Sequence, residues 1–316
     1  MKTLAIGLDL GGTKIAAALV TDSGELLATR SLPTLPDEGP AAVLERIARL
    51  ANELSHEARQ HPVKLLGVGI GSPGLLNPES GVVYNAVNLG WRDVRLADEV
   101  RALLDESLPV WVQKDGNASA IGEYVFGAAK DCADFLYLSI GTGLGGGLFA
   151  GGQLIGGANW NATELGHISL DPLGRECRCG LRGCAETVLS GDGLVALFRD
   201  LQPTGAADDD LHNTNPAGIL QAAKNNAPVA LAAMTEMGRQ LGIVIAFCAA
   251  VTNPALVVIG GGLGLAVFDL VVPRARMELE KRVLQASYAG LQIVPSLQVS
   301  SAVGAASLAW YFSERR

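Results

Sequence analysis

A strand-like apolar run that breaks into glycines and resumes at once occurs twice in this chain, and it narrows the folds open to it. Residues 4–10 end in Asp9-Leu10-Gly11-Gly12-Thr13-Lys14, and a second apolar run follows at 15–20. Residues 135–140 end in Gly141-Thr142-Gly143-Leu144-Gly145-Gly146-Gly147, and the chain runs back out through 148–150. Each reads as two strands joined by a glycine turn. After the first, Asp22-Ser23-Gly24 turns the chain into a third strand at 25–30. Three strands in succession make an antiparallel meander, whereas a Rossmann unit would place a helix next. Two such hairpins fit two related halves facing each other across a cleft, or two unrelated hairpins. Self-similarity alone does not choose between them.

Pro40 opens a helix that carries Val43, Leu44, Ile47, Leu50, Leu54 and Ala58 at three-to-four spacing. Strands are expected at 65–70 and 109–112, with a helix through Leu96, Val100, Leu103 and Leu104 between them. Asp115-Gly116-Asn117 opens a further helix over 119–126. Residues 203–216, with Asp208, Asp209 and Asp210, read as a solvated surface loop. Residues 227–250 read as a buried helix with Pro228 at its start, and 256–259 as a strand followed by Gly260, Gly261 and Gly262. A helix from about 273 to 285, a strand at 291–294 and a helix at 302–312 complete the pattern. No change of composition marks a linker. The domain boundary is therefore placed at the helix near 118: residues 1–117 with 301–316 form a small lobe, and 118–300 a large one.

Three of the five cysteines fall within eight positions, Cys177, Cys179 and Cys184, and His167 lies ten positions before the first. Three thiolates and one imidazole are the ligand complement of a closed, four-coordinate structural zinc site. Gly180 and Gly183 supply relaxed backbone where a tight knuckle needs it. The alternative is a cluster of buried or disulfide-bonded cysteines, but Cys-x-Cys is a poor spacing for a mutual disulfide. Glu164 and Glu186 bracket the knuckle and are not needed as ligands.

Composition excludes several classes. Apolar residues make up 49% and charged residues 18%, which describes a well-buried globular protein. A net charge of -8 argues against nucleic acid as the main partner. The cysteine usage suits a reducing cytoplasm better than a secreted framework. The first residues run straight into a strand pattern, so no signal peptide is expected. The longest apolar stretch, 241–251, is too short to span a bilayer, so no membrane is expected as a partner.

Three glycine clusters follow three strands, at Gly11-Gly12, Gly141 to Gly147, and Gly260 to Gly262. Strings of close backbone amides make phosphate-binding concavities. None of the three fits a P-loop, and none sits as a dinucleotide fingerprint between a strand and a helix in a βαβ unit. Asp9, ending a strand before the first turn, either holds magnesium against phosphate oxygens or satisfies turn amides. Lys14 either touches a phosphate or faces solvent. Asp115 either caps the helix that follows or, with Asn117 as the cap, is left to take a proton from an attacking hydroxyl.

The motifs at 9–14 and 140–147, Glu164-Leu165-Gly166-His167, and the run from Cys177 through Cys184 to Glu186 together resemble the ROK family of sugar kinases and sugar-responsive repressors. The likeness continues through Asn253-Pro254 and Gly260-Gly261-Gly262 to Gly304. It implies two actin-like ATPase (ribonuclease H-like) lobes of the α/β class, each a mixed sheet flanked by helices, with a cleft between them. It implies that Asp9, Gly11, Gly12 and Thr13 form a first phosphate loop and Gly141, Thr142, Gly143 and Gly145 a second. Gly260, Gly261 and Gly262 would lie against adenosine. His167, Cys177, Cys179 and Cys184 would hold zinc. Asn88, Asp115, Glu164, His167 and Glu186 would contact sugar hydroxyls, with Asp115 as general base toward the 6-hydroxyl. Lys114 stands where asparagine is usual before the base, and Val87 where proline is frequent before Asn88.

The resemblance therefore implies an ATP- and Mg2+-dependent kinase of glucose, with N-acetylmannosamine, N-acetylglucosamine or another hexose as alternatives. It also implies a homodimer or higher homo-oligomer. Family repressors carry a winged helix-turn-helix before the first phosphate loop, and only eight residues precede Asp9 here, so the enzyme is expected over the repressor.

Overall fold

The computed structural model describes residues 2–203, 214–298 and 300–313, so the acidic triplet Asp208 to Asp210 lies outside the described residues. The chain divides into two compact units. One comprises Met1–Asp131, Gln153–Ala162 and Leu297–Arg316, and the other Cys132–Gly152 and Thr163–Ser296.

In the first unit β1 (Thr3–Leu10), β2 (Lys14–Thr21) and β3 (Leu26–Pro33) form the expected antiparallel meander. The helix expected from Pro40 is α1 (Pro40–Ala58), and β4 (Lys64–Ser72) returns to pair with β1 in parallel. Three short antiparallel strands follow: β5 (Leu75–Asn77), β6 (Val82–Ala86) and β7 (Trp91–Val94). They carry too few residues to show a period, and the sequence reading missed them. After α2 (Leu96–Leu103), β8 (Val110–Lys114) pairs with β4 and completes the order β3-β2-β1-β4-β8.

Alternation along β1 sorts its side chains by size. Leu4, Ile6, Leu8 and Leu10 are buried with α1 residues Ile47, Leu50 and Leu54 in one core. Burying side chains of this size contributes about 1.5–3 kcal/mol each. The opposite face carries Ala5 and Gly7, because the C-terminal helix (Ser301–Ser313) lies almost on the backbone there. A Cβ on Gly7 would fall 1.9 Å from the carbonyl oxygen of Ala302, and one on Gly69 of β4 1.9 Å from that of Ala305. Asp9 shares this face by the same alternation.

The helix α3 (Asp115–Val125) packs on the C-terminal helix, and just beyond it Phe126 meets Trp310 edge to face at 5.2 Å. The first unit therefore extends through α3 to Asp131, past the boundary expected at 117.

In the second unit β9 (Phe135–Ile140) and β10 (Leu144–Ala150) form the second glycine hairpin, with Leu144 opposite Ile140. The helices α4 (Gly191–Asp200), α5 (Pro216–Lys224) and α6 (Pro228–Thr252) follow. The strand β11 (Leu256–Gly260) runs parallel to β9. Each unit is a mixed sheet flanked by helices, the actin-like arrangement expected.

Three expectations are corrected here. The helix expected from about 273 begins instead at Gly262 as α7 (Gly262–Glu280), with Pro273 inside it. Pro273 removes one helical hydrogen bond, and burial of Val267, Val271, Ala275 and Leu279 outweighs that loss. Second, with β12 (Gln292–Pro295) parallel to β11, the third glycine cluster does lie between a strand and a helix of a βαβ unit. Third, α6 is long and apolar enough to cross a membrane, contrary to the length argument from 241–251. Its Met234, Met237, Leu241, Val244 and Ile245 are instead taken up by this unit's core.

Candidate active site and metal centre

The first glycine turn is held by the chain that follows β3. Gly11 N–H donates to the Lys14 carbonyl at 3.0 Å. Thr34, fully buried, donates its hydroxyl to the Gly11 carbonyl at 2.6 Å and its N–H to the Thr13 carbonyl at 2.9 Å. Thr13 and Lys14 are exposed. Asn88, also exposed, comes up against the same turn: its Cβ and carbonyl oxygen lie 3.4 Å from where a Cβ on Gly12 would sit. The Asp9 carboxylate accepts a hydrogen bond from Ser301 at the start of the C-terminal helix. Burial pushes the Asp9 carboxyl above the usual carboxylate range, against the opposing pull of Ser301 and the Lys14 charge.

Asp115 is exposed and is the first residue of α3, where its Oδ1 accepts the Gly116 N–H at 2.7 Å. Asn117 does not cap this helix. It is buried at the third position of the helix and donates Nδ2 to Gln113 Oε1 at 3.2 Å. The N-cap is Lys114, which is buried and makes no capping bond through its side chain.

The second glycine turn is held differently. Gly141 N–H donates to the Gly143 carbonyl at 2.9 Å, and Gly191 N–H at the start of α4 donates to the Gly141 carbonyl at 2.8 Å. Leu144 N–H donates to Glu186 Oε2 at 2.9 Å. Glu186 is fixed from behind by Ser190, whose hydroxyl donates to the Glu186 carbonyl at 2.8 Å and accepts the Gly193 N–H at 3.0 Å as the cap of α4. The third glycine cluster adjoins this turn. Gly261, at φ 78°, caps α7 so tightly against β9 that a Cβ would meet the Ile140 carbonyl oxygen at 2.4 Å. Gly262 faces open space, and Gly260 lies beneath Tyr137.

His167, Cys177, Cys179 and Cys184 come together as expected, with their four donor atoms all within 4.8 Å of one another. His167 Nδ1 lies 3.8 Å from Cys177 Sγ, and Cys179 Sγ lies 3.7 Å from Cys184 Sγ. A tetrahedron of about 2.3 Å bonds has edges of about 3.8 Å, so the donor set fits a closed tetrahedral ion. The knuckle is closed by Cys177 N–H to the Leu181 carbonyl at 2.8 Å and turned by Gly180 at φ 88° and Gly183 at φ 65°. Burial pushes the Cys184 thiol up to about 12 and raises Cys177 as well, so an ion entering here displaces protons. With Nδ1 turned to the cysteines, His167 Nε2 lies 4.0 Å from Glu164 Oε2.

Residues 5–311 match the sequence model of the ROK family. The chain belongs to the ROK family. A glucokinase of Streptomyces coelicolor is 35% identical over 97% of both chains. A xylose repressor of Caldicellulosiruptor bescii is 31% identical, over 98% of this chain and 78% of the repressor. The crystal structure of a ROK glucokinase from Streptomyces griseus, in complex with glucose and AMPPNP, superposes with a TM-score of 0.79 at 33% identity, over 98% of this chain and 99% of that one.

Sequence reasoning did not find Thr34, Ser190 or Ser301 as partners of the site. Ser301 is 292 positions from Asp9, and the packing of the C-terminal helix on β1 brings them together. Ser190 had a local signal, a serine before a helical pattern.

Proposed function

We propose that this ROK protein is a glucokinase, moving the γ-phosphoryl group of ATP to the 6-hydroxyl of glucose. One observation carries the reading: Glu186, a carboxylate suited to sugar hydroxyls, is hydrogen-bonded to the backbone of an amide-lined turn suited to phosphates. Ionised carboxylates accept charge-assisted hydrogen bonds from vicinal hydroxyls. Asn88, Asp115, Glu164, His167 and Glu186 are the sugar ligands in this reading.

Asp115 takes the proton of the 6-hydroxyl as its oxygen bonds to the γ-phosphorus and the bond to the ADP oxygen breaks. The glycine turns at Gly11-Gly12-Thr13 and Gly141-Thr142-Gly143, with Gly145 and Lys14, position the phosphates. Gly260, Gly261 and Gly262 line the adenosine. Asp9 would hold Mg2+, which supplies charge neutralisation at the phosphate oxygens. His167, Cys177, Cys179 and Cys184 would hold zinc, which supplies rigidity to the loop bearing Glu164 and Glu186.

The free cysteines suit a reducing compartment, and we place the enzyme in the cytoplasm as a homodimer or higher homo-oligomer. A coupled assay with ATP over glucose, other hexoses and N-acetylhexosamines tests the reading. Glucose is expected to give the highest kcat/KM. N-acetylmannosamine as the preferred acceptor would replace glucokinase by an amino-sugar kinase, and turnover of no sugar would reject the kinase altogether.

A further inference from the structure

We infer that Glu186 braces the β9–β10 phosphate hairpin as well as binding sugar, so that nucleotide affinity depends on this carboxylate before any sugar arrives. This rests on the reading of that hairpin as a phosphate loop. Glu186 Oε2 accepts the N–H of Leu144, the first residue of β10, at 2.9 Å. Leu144 is buried, and Glu186 is the acceptor its N–H finds among the described residues.

Gly143 explains itself in the same way. A Cβ there would lie 2.5 Å from Glu186 Oε2 and 3.3 Å from its carboxyl carbon. A Cβ at 143 would therefore push the Glu186 carboxylate off the turn, so glycine there keeps the Leu144 bond possible. By contrast, nothing lies within 4 Å of a Cβ on Gly141 or Gly145.

The carboxylate has a division of labour available. Oε2 is committed to the hairpin, while Oε1 accepts no hydrogen bond among the described residues. A sugar hydroxyl on Oε1 would immobilise the carboxylate and, through Oε2, the turn. The backbone behind it is anchored to the metal knuckle: Thr187 donates its hydroxyl to the Cys184 carbonyl at 2.7 Å, and Ala185 N–H donates to the Ile168 carbonyl at 2.9 Å. One side chain therefore links the metal-held loop, the sugar and the phosphate turn. Sugar and nucleotide each tighten the other's binding, by the same factor in both directions.

The test is calorimetric titration of the full chain with Mg2+–AMPPNP, without sugar and then with saturating glucose, beside titration with glucose alone. Glu186→Ala is expected to weaken sugar-free nucleotide binding by about tenfold, within the usual range of such couplings. Glu186→Gln, whose amide oxygen can still accept the Leu144 N–H, is expected to stay within about threefold of wild type for nucleotide while losing glucose affinity. Hydrogen exchange at the Leu144 amide is the second readout: it should accelerate in Glu186→Ala and remain slow in Glu186→Gln. Glu186→Ala binding nucleotide like wild type, with Leu144 still protected, would overturn the brace and leave Glu186 a sugar ligand alone. A wild-type chain that binds glucose but no AMPPNP would instead overturn the phosphate-loop reading beneath it.

Discussion

The two glycine hairpins share a chain pattern, but their supports differ. The first is held by Thr34, a neutral and fully buried residue just past the end of the adjacent strand β3. Its partners are backbone groups of the same sheet, so its shape is set when that sheet forms. The second is held by Glu186, an acidic residue just past the Cys3His cluster and a sugar ligand in the reading proposed above. On the proposed reading, a ligand on Glu186 acts on this turn through a hydrogen bond, whereas Asn88 meets the first turn only by packing on Gly12. Similar glycine turns can serve as a fixed or a responsive element, depending on which side chain closes the turn's last hydrogen bond.

Three substitutions sharpen that contrast. The largest effect is expected from Asp115→Asn, which leaves both hairpin supports in place and removes only the proton acceptor. Turnover should fall about a thousandfold, with glucose affinity unchanged within a few-fold. Turnover near wild type in a steady-state assay would reject Asp115 as the base. The second is Cys179→Ser, which takes one donor from the metal cluster. Glucose affinity should fall about tenfold to a hundredfold, with a smaller loss for nucleotide passed through Glu186. Unchanged glucose affinity in a variant shown by metal analysis to be metal-free would remove the scaffold role of the cluster. The smallest is Thr34→Val, which deletes the hydroxyl bond to the Gly11 carbonyl. Nucleotide should bind several-fold more weakly, as one hydrogen bond of about 1 kcal/mol implies, and equally so with and without glucose. A loss that glucose repairs would erase the distinction between the hairpins.

Much of this was legible in the chain, and the failures have physical causes. The meander, α1, β9 and the Cys3His cluster each announce themselves by period or spacing within a short window. The strands β5 to β7 are three to five residues long and interrupted by turn residues, so no period develops. Pro273 misled because proline commonly opens helices, whereas here a well-buried face carries the helix through it. Asn117 looked like a cap, but α3 starts two residues earlier and buries it. The site residues themselves were readable as chemical types, yet their supports were not. Thr34, Ser301 and the pairing of Leu144 with Glu186 join positions 23, 292 and 42 apart, which no local pattern encodes.

The most direct measurement is nuclear magnetic resonance of the product made from glucose and ATP by the wild-type chain, run beside Asp115→Asn. Phosphorus coupled to the protons on C6, formed by wild type and almost absent with the variant, is the predicted result. A wild-type chain that leaves glucose unmodified at saturating ATP and Mg2+, or phosphorylates another hydroxyl, would contradict it.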